Sequence, residues 1–115
     1  MSIDEVVVVD KEAMRDAAQS ACALMKVLSN PDRLLLLCEL SEGERNVGEL
    51  QEAVGILQPT LSQQLAVLRA ENLVTTRRDG KNIYYSVASP QALALLHVLY
   101  AQFCAPPARK VRARR

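Results

Sequence analysis

The chain has 115 residues, half of them apolar but only four aromatic (Tyr84, Tyr85, Tyr100, Phe103) and none Trp. That length fits one domain, and a Leu- and Ala-rich composition points to packed helices. A formal net charge of +1 hides a strong segregation. Residues 1–53 carry five Lys/Arg against eleven Asp/Glu, residues 54–104 four against two, and 105–115 five basic groups with no acid. Positive charge therefore gathers in the second half, as a phosphate-binding surface requires. No apolar run, Leu34–Cys38 included, approaches the ~18 residues of a transmembrane helix. The Val6–Val9 run has acidic flanks, whereas a signal peptide starts with a basic region. A cytoplasmic protein is expected. Three widely spaced cysteines, Cys22, Cys38 and Cys104, fit neither a disulfide framework nor a Cys-x-x-Cys motif. They are either packed small side chains or a sensor.

Residues 1–10 read as a mobile arm. From Lys11 to about Ser29 the series Met14, Ala18, Ala21/Cys22, Met25, Leu28 has helical spacing. Asn30-Pro31 restarts the chain, Asn30 suiting an N-cap and Pro31 the first helical position. The helix from Asp32 to about Glu42 contains Leu34-Leu-Leu-Leu-Cys38 and Leu40, apolar nearly all round, and so reads as the buried central helix, with Gly43 ending it. Asn46 is placed to cap a third helix, Val47 to about Val54, followed by a Gly55 turn.

Gln58 to Glu71 forms the fourth helix. Leu61, Leu65 and Leu68 fall at i, i+4 and i+7 and make one apolar stripe. Ser62, Gln63 and Ala66 lie opposite, with Gln58 and Thr60 at the leading end. Short uncharged polar side chains can hydrogen-bond base edges, and Ala allows close approach; a solvated helix face is the plainer alternative. Two short helices joined by a tight turn, the second polar outside, form a helix-turn-helix. Leu73–Arg78 and Asn82–Val87 are rich in β-branched and aromatic residues, with the Asp79-Gly80 turn signal between them. This hairpin reads as a wing carrying Arg77, Arg78 and Lys81, or more plainly as a solvated hairpin. Ser89-Pro90 begins a last helix to about Cys104, with Leu93, Leu96, Tyr100 and Phe103 on one face, and Ala105-Pro-Pro stops it. Residues 11–104 thus form a mainly α winged helix-turn-helix in the order α-α-α-α-β-β-α, and residues 105–115 a basic tail that either meets phosphates or only solubilises. The first and last helices carry more apolar surface than a monomer needs outside. A homodimer through them is expected, since symmetric reading of double-stranded operator DNA requires one.

Four segments then resemble the ArsR/SmtB repressors: Leu28-Ser-Asn-Pro-Asp-Arg-Leu34, Val47-Gly-Glu-Leu50, Pro59–Arg69 and Arg77–Tyr85. The likeness runs from about residue 14 to 104. It implies a dimeric repressor released from its operator by an inducer. Many members sense metals, but the Cys-x-Cys of their third-helix site is replaced here by Asn46-Val47-Gly48, and the only histidine is His97. His97 and Cys104 are seven residues apart, ~10 Å along a helix axis, too far for one ion. No metal and no cofactor is expected. Leu37–Glu44 and Tyr100–Cys104 resemble a narrower branch, the BigR/SqrR/HlyU-like repressors. That resemblance implies a Cys38–Cys104 dithiol that persulfides or oxidants bridge, releasing the operator; it assigns no role to Cys22. The site residues so expected are Cys38 and Cys104 for sensing, and Gln58, Thr60, Ser62, Gln63, Arg77, Arg78 and Lys81 for DNA. Competing readings are a metal-responsive repressor with an atypical site, a thiol oxidoreductase and a protein-interaction module. Against the oxidoreductase stands the lack of a Cys-x-x-Cys at a helix N-terminus, where a thiolate is stabilised.

Overall fold

In a computed structural model, which describes residues 10–104, the chain folds as α1 (Lys11–Leu28), α2 (Pro31–Leu40), β1 (Arg45–Asn46), α3 (Val47–Val54), α4 (Thr60–Ala70), β2 (Val74–Asp79), β3 (Asn82–Val87) and α5 (Pro90–Leu99), closed by a π-helical turn over Tyr100–Cys104. Local sequence sets most of these starts. The Asn30 side chain accepts the Arg33 N–H at 3.0 Å with Pro31 at the first helical position. Asn46 and Glu49 form a reciprocal capping box at 2.8 and 2.9 Å. Ser89 takes the Ala92 N–H ahead of Pro90. Gly55 closes α3 at φ +72°, a left-handed position that costs glycine nothing.

The core gathers where α2 meets α4. Leu36, Leu37 and Leu40 of α2 pack with Leu50 of α3 and with Leu61, Leu65 and Leu68 of α4, all at 2% exposure or less. Leu73, Val74, Ala92 and Leu96 extend this cluster beneath the hairpin and α5. Burying one such leucine contributes about 1.5–3 kcal/mol, so the stripe along α4 fixes which of its faces is left outside.

Several expectations need correction. A short strand, β1, precedes α3; it pairs antiparallel with β3, Arg45 opposite Tyr85 and Asn46 opposite Tyr84, so the sheet order is β1-β3-β2. The hairpin turn sits one residue later than expected: Asp79 pairs with Asn82, leaving Gly80 (φ +66°) and Lys81 in the loop. α4 begins at Thr60 rather than Gln58. Asp10 is not part of an arm but the N-cap of α1, accepting the Ala13 N–H at 2.7 Å; residues 1–9 and the basic tail lie outside the described residues. α2 is buried on one side only, since Leu35 is 50% exposed. The last α-helix stops at Leu99, and the wider π turn that follows leaves Phe103 off the Leu96 stripe. Leu96 is buried while Phe103 is 81% exposed.

One cation ties the helices together. The Arg33 guanidinium donates to the Val27 carbonyl at 2.8 Å, near the end of α1, and to Gln64 Oε1 of α4 at 3.0 Å. Hydrogen bonds that involve a charged group contribute about 1.5–3 kcal/mol. Replacing Arg33 by Met, which keeps the stem but not the donors, is expected to lower stability by about 2 kcal/mol. Urea unfolding monitored by circular dichroism checks this through a lower midpoint at unchanged slope.

Candidate nucleic-acid interface and thiol cleft

Because Leu61, Leu65 and Leu68 are held in the core, Ser62, Gln63, Ala66 and Arg69 of α4 stand exposed on its other side. Thr60 is half-buried at the first turn. Gln58 lies just before the helix, where its Oε1 accepts both the Ser62 N–H (3.1 Å) and the Ser62 hydroxyl (2.7 Å). It thereby serves a free amide of the first turn that no side-chain cap on Pro59 could serve. Gln58 and Ser62 are one hydrogen-bonded unit, leaving the Gln58 amide NH₂ as an outward donor. Gln63 has no such partner among the described residues. Gln64, one position on, is bound by Arg33 and is not part of the outward set.

A groove of about 380 Å³ runs between this face and the sheet, lined by Ser62, Ala66, Arg69 and Tyr85. Arg69 and Tyr85 were not singled out from the sequence. Arg69 was legible there, being seven residues after Ser62 and thus on the same helical face; Tyr85 was not, since its place depends on the sheet.

The three basic residues of the hairpin differ. Arg78 and Lys81 are exposed and, among the described residues, in no ion pair. Arg77 is turned back on the protein. Its Nε and NH2 groups bind both oxygens of Glu44 at 2.7 Å each, and its guanidinium lies 4.7 Å from the centre of the Tyr84 ring. Asp79 approaches the same cation at 3.9 Å. The Arg77 hydrogen bond holds the Glu44 carboxyl below its ordinary range against a weaker opposing effect of desolvation.

On the opposite side of α2 lies a cleft of about 680 Å³. Leu35, Cys38, Glu39 and Glu42 supply one wall, at i, i+3, i+4 and i+7 of α2 and its continuation. Ala53 and Val54 close one end, and Leu96, His97, Tyr100 and Cys104 form the facing wall. The structure thus brings both cysteines named from the sequence into one cleft. Cys38 is half-buried and Cys104 exposed, both as free thiols. Burial pushes the Cys38 thiol up, with the nearby Cys104 and then Glu42 adding to the effect. Cys22 is exposed on α1, away from this cleft. His97 lines the cleft without a ligand set around it: the described residues contain no group of three His, Cys, Asp or Glu that could hold a metal ion. No helix among them is long and apolar enough to cross a membrane.

Comparison with known proteins gives this geometry a lineage. The profile of "Bacterial regulatory protein, arsR family" matches residues 30–76. The biofilm growth-associated repressor of Agrobacterium fabrum is 50% identical over 94 residues, which cover 82% of this chain and 80% of that protein. The transcriptional activator HlyU of Vibrio cholerae is 34% identical, over 81% of this chain and 86% of HlyU. Among solved structures, the transcriptional repressor BigR from Xylella fastidiosa superimposes with a TM-score of 0.78 at 48% identity, covering 84% of this chain and 99% of that one. Reduced HlyU from Vibrio cholerae gives 0.77 at 35% identity, over 80% of this chain and 97% of that chain. These relatives are transcriptional regulators, not enzymes. The chain is a winged helix-turn-helix member of the arsR family of bacterial regulatory proteins.

Proposed function

We propose that this protein is a homodimeric, DNA-binding repressor that leaves its operator when Cys38 and Cys104 are bridged by a reactive sulfur species or another oxidant. The observation that carries the switch is the shared cleft: two free thiols from sequence-distant elements face one solvent-open space. Bridging as a disulfide removes two electrons and two protons from the pair, which the oxidant accepts. With a persulfide RSSH, each thiol takes up one sulfane sulfur and RSH leaves. The two cysteine persulfides then condense to a trisulfide with loss of H2S, a bridge that spans a wider gap than a simple disulfide, whose Cα atoms must lie within ~7 Å.

DNA recognition follows from the outward face of α4. Gln63, Thr60 and the Gln58–Ser62 unit reach base edges and nearby phosphates, while Arg78 and Lys81 meet the backbone from the wing. Dimerisation is supported by the apolar surface that a single chain leaves bare. Met14 and Met25 of α1, Val98 of α5, and Tyr100 and Phe103 of the final turn are all more than half exposed. A related winged helix-turn-helix domain from Mycobacterium bovis, 27% identical, is described as homodimeric. Two copies joined along α1 and α5 set two recognition helices against half-sites ~34–36 Å apart. A bridge from α2 to the end of the last helix ties the reading unit to that seam. A differential strain of only ~1.4 kcal/mol between free and DNA-bound shapes changes affinity tenfold.

Two expectations follow. Gln63→Ala should cost ~1–3 kcal/mol on a selected operator duplex and little on random-sequence DNA; fluorescence anisotropy on both duplexes measures it, and equal losses would remove Gln63 from base recognition. Cys38→Ser and Cys104→Ser should each bind DNA when reduced and stay bound after persulfide treatment, while Cys22→Ser is released like the unmodified protein. Normal dose-dependent release of either of the first two variants contradicts the dithiol switch.

A further inference from the structure

The wing reaches away from the core as a two-stranded arm. β1 supports it only over two residues, Arg45 and Asn46 beside Tyr85 and Tyr84, and an isolated two-stranded hairpin is marginally stable in water. At that level one side-chain cluster spans the sheet from edge to edge. Glu44 precedes β1, Tyr84 lies in the middle strand β3, and Arg77 lies opposite it on β2. The guanidinium crosses the Tyr84 ring at 4.7 Å and ends in a two-point contact with the Glu44 carboxylate. Such fork-to-fork pairs fix direction as well as distance.

This cluster is poorly suited to gripping a phosphate. Two guanidinium nitrogens are already committed to one carboxylate, and Asp79 stands 3.9 Å from a third. With Glu44 and Asp79 beside a single cation, the cluster carries a net negative charge. Arg78 and Lys81 have no such restraint among the described residues.

We propose that Glu44 and Arg77 form a brace that positions the wing for DNA, and that Arg77 acts through Glu44 and Tyr84 rather than by contacting the backbone. Glu44 is then a positioning residue for DNA binding, although it is an acid on the DNA side of the molecule. The inference rests on the wing lying against DNA as proposed above.

The sign of one substitution separates this account from simple electrostatics. Neutralising a carboxylate near phosphates should by Coulomb's law alone tighten binding, since exposed charges act over ~8–10 Å at ordinary salt. A brace gives the opposite sign. Affinity of the full chain is measured by fluorescence anisotropy on a fluorescein-labelled duplex selected from a random library, across a salt series. Circular dichroism verifies that each variant is folded. Glu44→Gln is expected to weaken binding by roughly five- to tenfold, Arg77→Gln by a similar factor with unchanged salt slope. The double variant Glu44→Gln/Arg77→Gln should bind no worse than either single one, because the two side chains act as one unit. The Arg78→Ala/Lys81→Ala variant is the independent gauge of the wing: losing two phosphate contacts flattens the log–log salt slope by about 1.8. Unchanged or tighter binding by Glu44→Gln overturns the brace, as does a slope flattened by about 0.9 in Arg77→Gln. An unflattened slope in Arg78→Ala/Lys81→Ala removes the wing from the DNA contact itself, a separate failure from that of the brace.

Discussion

The structure depends on one seam of leucines. α4 gives Leu61, Leu65 and Leu68 to the core and α2 gives Leu36, Leu37 and Leu40. Once those six are buried, neither helix can rotate: a turn of α4 about its axis would expose leucine and bury Ser62 or Gln63, a double penalty of apolar exposure and unpaired polar groups. The polar face of α4 is outward for that reason, and the Cys38 stripe of α2 faces the cleft for the same one. A single packing constraint therefore sets both ends of the proposed switch.

The two ends are also physically joined. α2 carries Cys38 on one side and packs against α4 on the other. Its first turn holds Arg33, which bonds both the end of α1 and Gln64 of α4. Past its last turn the chain runs through Ser41, whose hydroxyl donates to the Cys38 carbonyl at 2.6 Å, to Glu44 at the wing. In the proposed switch, strain placed on α2 by a covalent bridge has short paths to α4 and the wing. It needs to alter binding by only a small fraction of the ~5–15 kcal/mol that holds a domain folded.

What the sequence revealed was mostly local. Asn30-Pro31, the Asn46 cap and Ser89-Pro90 act within three residues, and the Leu61/Leu65/Leu68 period needs no partner to be seen. Features set by distant pairing were not visible. β1 has no strand-forming residues and exists because Arg45 and Asn46 meet Tyr85 and Tyr84. Arg77 reads as a free wing cation until Glu44, 33 residues earlier, is found holding it. Gln58 reads as the first residue of a helix, yet it caps that helix from outside. The joint cleft of Cys38 and Cys104 followed from resemblance and not from spacing, because 66 positions separate them.

The most direct test joins chemistry to binding in one sample. DNA-bound protein is titrated with persulfide, and the fraction released is compared with the fraction of chains whose proteolytic peptides carry a Cys38–Cys104 crosslink by mass spectrometry. The account predicts that the two fractions rise together, with Cys22 absent from the crosslinked peptides. Full release while Cys38 and Cys104 remain unlinked would contradict it.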